Sequence, residues 1–374
     1  MEFHDLGAQY AAHKEQIDAG IARVLAKGHF ILGAEVQELE QQLADYVSRK
    51  HCITCANGTD ALILMLKAWN IGPGDAVFTA DFTFFASAGC ASAVGATPIP
   101  VDIDPRTFNL CPDALEVAIQ RVLKEGRLLP KILIPVDLFG LPADYPRLHA
   151  IAKKYDLLIL EDAAQGFGGH IEGKRCGSFG HAATTSFFPA KPLGCYGDGG
   201  AIFTDDAEEA KLLRSLRSQG RSPEDKYDNR LIGLNSRLDT LQAAILLSKL
   251  AAFPRELEAL NHIAKQYTQL LKDAVETPYI PEGYTSSWAQ YSILLPDAAL
   301  RSPLQESLKK LDIPTMIYYP RGIHQQTAYA HTGWNDALFP HTLSACQRIL
   351  ALPMHPYLTD EEVEYIARAI LQNV

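Results

Sequence analysis

Along the first two thirds of the chain, short apolar runs alternate with amphipathic segments. The short runs read as strands and the amphipathic segments as helices. Strands are predicted over Cys52–Ala56, Ala76–Ala80, Thr97–Val101, Ile132–Val136 and Leu157–Leu160. Helices are predicted over Asp60–Trp69, Phe84–Val94, Asp113–Leu123 and Tyr145–Lys154. Two later strands fall at Thr184–Phe188 and Gly200–Phe203. This alternation predicts an α/β fold with a largely parallel sheet flanked by helices on both faces.

From Leu238 the pattern changes. Leu238–Leu250 reads as a long apolar helix, and Arg255–Lys272 as a helical segment rich in charge. Beyond Pro281 the chain takes on α+β character. Trp288–Leu295 and Thr315–Tyr319 are strand-like, and Leu304–Leu311 and Asp360–Leu371 are helical. The expected boundary therefore lies near residue 250. A large domain, 1–250, opens with an N-terminal helix, and a smaller one, 251–374, follows.

The 374 residues carry 34 Lys plus Arg against 44 Asp plus Glu, a net charge of −10. Non-specific nucleic-acid binding needs a basic footprint, and this balance makes the chain a poor candidate for it. An anionic ligand remains compatible where basic residues converge. The start, Met1-Glu2-Phe3-His4-Asp5, has no secretory pattern, and no apolar stretch is long enough to span a bilayer. Seven scattered cysteines fit reduced thiols, so a cytoplasmic location is expected. Cys52 and Cys55 form a C-x-x-C with no second pair, among β-branched neighbours. They read as buried strand residues, and no metal site is expected.

In an open parallel sheet, ligands sit where strand ends meet helix N-termini. Four segments fall at such places. Asn57-Gly58-Thr59-Asp60 lies between a strand and a helix and suits a phosphate, or simply caps the helix. Leu158-Ile159-Leu160-Glu161-Asp162 is an apolar strand ending in two acids. Such an acid needs a cation or a donor, or serves as a cap. Lys191 sits in Pro189-Ala190-Lys191-Pro192, a constrained loop after a strand, with Gly194, Gly197, Gly199 and Gly200 beyond. That setting suits a lysine of lowered pKa and Schiff-base chemistry. Asn235 and Arg237 stand just before the long apolar helix, as anion contacts or caps. Together these parts describe a site for pyridoxal phosphate, which needs a lysine, a carboxylate for its ring nitrogen, an aromatic cover and a phosphate cup.

At this point the chain resembles the fold-type I aminotransferases of the nucleotide-sugar branch, the DegT/StrS family. The resemblance runs from Gly28-His29-Phe30-Ile31-Leu32-Gly33 through Asn57-Gly58-Thr59-Asp60, Phe82-Thr83-Phe84 and Glu161-Asp162-Ala163-Ala164-Gln165. It continues through Ser186-Phe187-Phe188-Pro189-Ala190-Lys191 and Asn235-Ser236-Arg237 to Leu352-Pro353-Met354-His355. It implies Lys191 as the Schiff-base lysine and Asp162 as partner of the ring nitrogen. Gln165 is implied near the ring hydroxyl, Phe84 on the ring, and Gly58, Thr59 and Ser186 around the phosphate. Asn235 is implied to reach the cofactor of a neighbouring subunit, hence a homodimer with shared sites. L-Glutamate is the implied donor, leaving as 2-oxoglutarate, and a nucleotide-linked keto-sugar the acceptor. A branch with His in place of the lysine dehydrates sugars; Lys191 sets it aside.

Within the family, Lys191-Pro192-Leu193-Gly194-Cys195-Tyr196-Gly197-Asp198-Gly199-Gly200 and Asn235–Ala244 are most similar to 3-aminotransferases of UDP-linked 2-acetamido-3-keto sugars. Such sugars carry a C6 carboxylate or hydroxymethyl and feed lipopolysaccharide O-antigen or lipid A. Arg237, Tyr318, Tyr319 and Arg321 are the expected sugar contacts. Tyr318 stands where many relatives have His, which argues against a C6 carboxylate unless Arg321 supplies the charge. Asp137 is a second departure, from a His before Phe139-Gly140. Arg217, Arg221, Lys226 and Arg230 are either cations lining the entrance or a solvated helix end and loop. Three alternatives remain: a 4-aminotransferase of a 4-keto-6-deoxy sugar, a cofactor-binding regulatory protein without turnover, and a decarboxylase of the same fold.

Overall fold

A computed structural model describes every residue of the chain except Pro223 and Lys226. Two helices come first, α1 (Leu6–Lys27) and α2 (Ala34–Val47). Asp5 starts α1 by accepting from the Ala8 amide at 2.7 Å, and Gly28 ends it at φ 69°. The predicted alternation follows: β1 (His51–Cys55), α3 (Gly58–Ala68), β2 (Asp75–Ala80), α4 (Ala86–Ala93) and β3 (Thr97–Val101). It continues with α5 (Pro112–Glu125), β4 (Leu129–Ile134), α6 (Tyr145–Tyr155) and β5 (Leu158–Asp162). After the short strands β6 (His170–Ile171) and β7 (Lys174–Arg175) come β8 (Ala182–Ser186), β9 (Gly200–Thr204) and α7 (Ala207–Leu216).

The main sheet runs β1-β9-β8-β5-β4-β2-β3. β9 is antiparallel to both its neighbours, and the remaining pairings are parallel. Strand alternation sends Phe78, Leu133 and Ile159 to one core and Val77, Ile132, Ile134 and Leu160 to the other. Helices cover both faces, which is why these strands are apolar throughout.

The rest comprises α8 (Thr240–Leu271), β10 (Tyr284–Thr285), β11 (Tyr291–Leu294), α9 (Arg301–Lys310), α10 (Pro340–Arg348), β12 (Ile349–Leu352) and α11 (Asp360–Leu371). Two expectations are corrected here. The separate helices over Leu238–Leu250 and Arg255–Lys272 are one helix, α8, with Pro254 inside it. Pro254 lies on the exposed side, while Leu246, Leu250, Phe253, Leu260, Ile263, Tyr267 and Leu271 keep one buried face unbroken across it. That burial outweighs the one hydrogen bond the proline removes. Thr315–Tyr319 forms no strand, only an isolated bridge from Met316 to Ala351. Pro314 and Pro320 bracket it, and its tyrosines leave the sheet for the cavity described below.

Residue 250 lies within α8. The N-terminal half of α8 packs with Leu39, Phe187 and Phe203. Its C-terminal half packs with Tyr291, Ile293, Leu350 and Ile366.

A buried ion pair ties α2 to the end of α7. Arg217 donates to Glu40 at 2.5 Å and to the Thr54 carbonyl at 2.7 Å, while Glu40 also takes the Thr54 amide at 2.9 Å. Arg217 therefore belongs to the core and not to an entrance. Arg217→Met leaves the Glu40 carboxylate with the Thr54 donors and only the more distant Arg214 at 3.8 Å, and should cost about 3 kcal/mol. A urea titration should show a lower midpoint with unchanged slope, and Glu40→Gln in the same protein should recover part of it.

Candidate active site

Four strand ends meet at one edge of the sheet. Gly200 of β9 pairs with both Cys55 at the end of β1 and Ser186 at the end of β8. Asp162 at the end of β5 pairs with Thr184 of β8. A cavity of about 910 Å³ opens at this edge.

One wall is the start of α3. Asn57 caps it, its Oδ1 accepting from the Asp60 amide at 2.8 Å. The first helical bond runs from Ala61 to the Asn57 carbonyl, so the Gly58 and Thr59 amides precede it and have no acceptor among the described residues. The approach is too close for side chains. A Cβ on Gly58 would stand 2.8 Å from Ser186 Cβ, and one on Gly200 would stand 2.5 Å from the Asn57 carbonyl. Free amides, a helix N-terminus and the Ser186 hydroxyl make an anion cup.

The floor is Asp162. Ser87 Oγ donates to its Oδ2 at 2.9 Å, and the Ala164 amide to its Oδ1 at 3.2 Å. Burial pushes this carboxyl up, while Ser87, the Ala164 amide and the Lys191 charge pull it down; the net direction is up. Glu161, the other acid, points to the opposite face. It accepts from the Gly177, Phe179 and Gly180 amides and takes no part in the cavity.

Gln165 is anchored at both ends, accepting from the Phe139 amide at 2.8 Å and donating to Tyr319 Oη at 3.1 Å. Lys191 is half-buried, and burial pulls its ammonium pKa below the usual lysine value against the attraction of Asp162. Among the described residues no acceptor holds its Nζ. Phe84 lines the cavity at 55% exposure and stacks on no other ring of the described chain.

Tyr318, Tyr319 and Arg321 line the same cavity. Arg321 is exposed and makes no ion pair among the described residues. Asn235 and Arg237 do not line it. Between them Ser236 is buried and accepts from the Ala56 amide at 3.1 Å, with Asn235 exposed and Arg237 half-buried beside it. Arg221 and Arg230 also lie away from it, Arg230 pairing with Glu224 and Asp228. Lys226 lies outside the described residues. Asp137 is buried below the floor, where it accepts from the Ala143 amide and the Tyr145 hydroxyl.

His4, Ser87, Gln290 and Gln326 line the cavity without having been expected there. Ser87 follows Phe84 by three residues, a helical spacing that places it on the same side. The others come from distant segments and leave no local signal.

The model of the DegT/DnrJ/EryC1/StrS aminotransferase family matches residues 11–371. A Pseudomonas aeruginosa protein named UDP-2-acetamido-2-deoxy-3-oxo-D-glucuronate aminotransferase is 46% identical over 99% of both chains. An Acidithiobacillus ferrooxidans protein named UDP-N-acetyl-3-dehydro-alpha-D-glucosamine 3-aminotransferase is 38% identical, covering 99% of this chain and 97% of its own. The crystal structure of a family aminotransferase from Brucella abortus superposes with TM-score 0.96 at 50% identity, covering 100% of this chain and 99% of that one. Other solved relatives hold pyridoxal or pyridoxamine phosphate. The chain belongs to the DegT/DnrJ/EryC1/StrS aminotransferase family.

Proposed function

We propose that this chain is a pyridoxal-phosphate-dependent aminotransferase acting at C3 of a UDP-linked 2-acetamido-2-deoxy-3-keto-glucuronate, with L-glutamate as donor. One observation carries the reading: Lys191, without an acceptor among the described residues, faces the buried Asp162 across a cavity that the anion cup closes on a third side. The residues fit the cofactor. The Gly58 and Thr59 amides and the Ser186 hydroxyl suit its phosphate, Asp162 its ring nitrogen, Gln165 its ring hydroxyl and Phe84 its face. Bound there, it supplies an electron sink for charge developing at the amino-bearing carbon.

The chain's own residues do the rest. Asp162 becomes a stable anion once a cation meets it, because an opposite charge offsets the penalty of burial. Lys191 Nζ, with its pKa lowered by burial, takes the proton from the donor's α-carbon and holds it for return. Asn235 and Arg237 follow an exposed stretch that includes Leu231 and Ile232, the latter 86% exposed. That stretch suits a second copy of the chain, to whose cavity both side chains would contribute.

Arg321 favours the glucuronate, as the unpaired guanidinium among the described residues lining the cavity. The name of the 46%-identical relative agrees. Tyr318, a neutral phenol beside it, favours a second reading with a C6 hydroxymethyl, the type named for the 38%-identical relative. Products of either kind suit lipopolysaccharide assembly in the cytoplasm. Among the described residues no helix is long and apolar enough to cross a membrane.

The two readings separate in the reverse direction. The enzyme is given 2-oxoglutarate and a UDP-2-acetamido-3-amino sugar with either a carboxylate or a hydroxymethyl at C6. Glutamate is expected with the carboxylate sugar; glutamate from the hydroxymethyl sugar alone selects the second reading, and none from either refutes both. Asp162→Asn should lower kcat by about a hundredfold with an unchanged circular dichroism spectrum. A wild-type kcat would remove Asp162 from its role.

A further inference from the structure

Lys191 borders two spaces. In front lies the large cavity. Behind it lies a cleft of about 50 Å³, walled by His4, Gln9, Glu256, His355 and Tyr357. These polar groups stand among apolar ones such as Leu260, Trp288 and Met354, and the space takes a few water molecules. His4 and Lys191 border both spaces.

The hydrogen bonds of His4 fix its tautomer. Its Nδ1 lies 3.1 Å from the Met354 carbonyl. A carbonyl only accepts, so Nδ1 carries the proton. Burial pulls the imidazole pKa down to about 4, so the ring is neutral near pH 7 and Nε2 carries a bare lone pair. Nε2 is buried, and no described group pairs with it. Gln9 Oε1 is likewise buried and unpaired. Glu256 is already served, by Gln9 Nε2 at 3.0 Å, His13 at 3.1 Å and Tyr357 Oη at 2.6 Å. The cleft thus offers unused acceptors at His4 Nε2 and Gln9 Oε1, with the unpartnered ring nitrogens of His355 also in its wall, beside a lysine whose N–H donors have no protein acceptor among the described residues.

A lysine acting as base has a directional need. Its lone pair must face the donor's α-carbon, so its N–H bonds must be held to the rear. We propose that His4 is a positioning residue for Lys191: water in the rear cleft accepts from Lys191 Nζ and donates to His4 Nε2, which turns the amine lone pair toward the substrate cavity. Gln9 Oε1 is placed to take the water's second proton. The charged and titratable groups around this path are Asp162, Asp60, Asp198, Tyr318, Tyr319 and Arg321 in front and Asp5, Glu256, His355 and Tyr357 behind. The inference rests on Lys191 as the reacting lysine.

The first test needs neither cofactor nor sugar. In the cofactor-free protein, acetylation of Lys191 by acetic anhydride is followed against pH by peptide mass spectrometry. The bridged acceptor stabilises the ammonium, so His4→Phe should move the midpoint down by about half a unit. His4→Gln keeps an acceptor oxygen and should stay near wild type. In the holoenzyme, His4→Phe should lower kcat about tenfold, the effect of one hydrogen bond to a charged group, at unchanged KM. His4→Gln should recover most of that loss. A wild-type midpoint in His4→Phe overturns the proposal whatever turnover does. Equal losses in both variants also overturn it, leaving His4 a packing role. Because acetylation is read without transamination, failure of the proposed activity leaves this result intact.

Discussion

Asp162 is a carboxylate held at the end of a sheet strand, almost wholly buried at the floor of the cavity. A charge in that position is costly unless donors and a cation meet it. Two donors are built in, the Ser87 hydroxyl and the Ala164 amide. Lys191 supplies positive charge from across the cavity. Even so, burial prevails and the carboxyl stays above its usual range. A cation beside Asp162 would offset that burial, and the neighbouring elements converge on the same point. α4 brings Ser87 to the carboxylate, the loop after β8 brings Lys191, and Gln165 follows at the next turn.

That arrangement depends on how closely the strand ends approach. Gly58 and Gly200 bring β1, β8 and β9 within backbone contact, so the free amides of α3 stand beside the Ser186 hydroxyl. Methyl groups at those two positions would push the cup apart. The far wall is held by side chains. Tyr319 reaches Gln165, and the Ser287 hydroxyl donates to the Gln165 carbonyl at 2.7 Å. These bonds lock the C-terminal part of the chain against the sheet and set the width of the cavity where the sugar contacts are expected.

The strand and helix alternation was legible as far as β9, because each element buries one periodic apolar set. It failed where one physical term overrode another. Pro254 suggests two helices, but the apolar face of α8 runs through it. Thr315–Tyr319 has strand composition, but its flanking prolines and the bond from Gln165 to Tyr319 take it out of the sheet. Glu161 and Asp162 look equivalent as neighbours. The pleat separates them, giving one a structural role and the other the cavity.

The sequence by itself determined the fold class, the lysine loop, the acid at the strand end and the capped turn at Asn57. Each is a local pattern, set by a few adjacent residues and the backbone they demand. Only the tertiary structure decided which of the cations line the cavity: it took Arg217 into the core beside Glu40 and left Arg321 at the wall with no ion pair among the described residues. Only it placed His4 from the N-terminus behind Lys191 and fixed its tautomer through the Met354 carbonyl. Those outcomes depend on contacts between segments hundreds of residues apart, which no pattern of neighbours along the chain encodes.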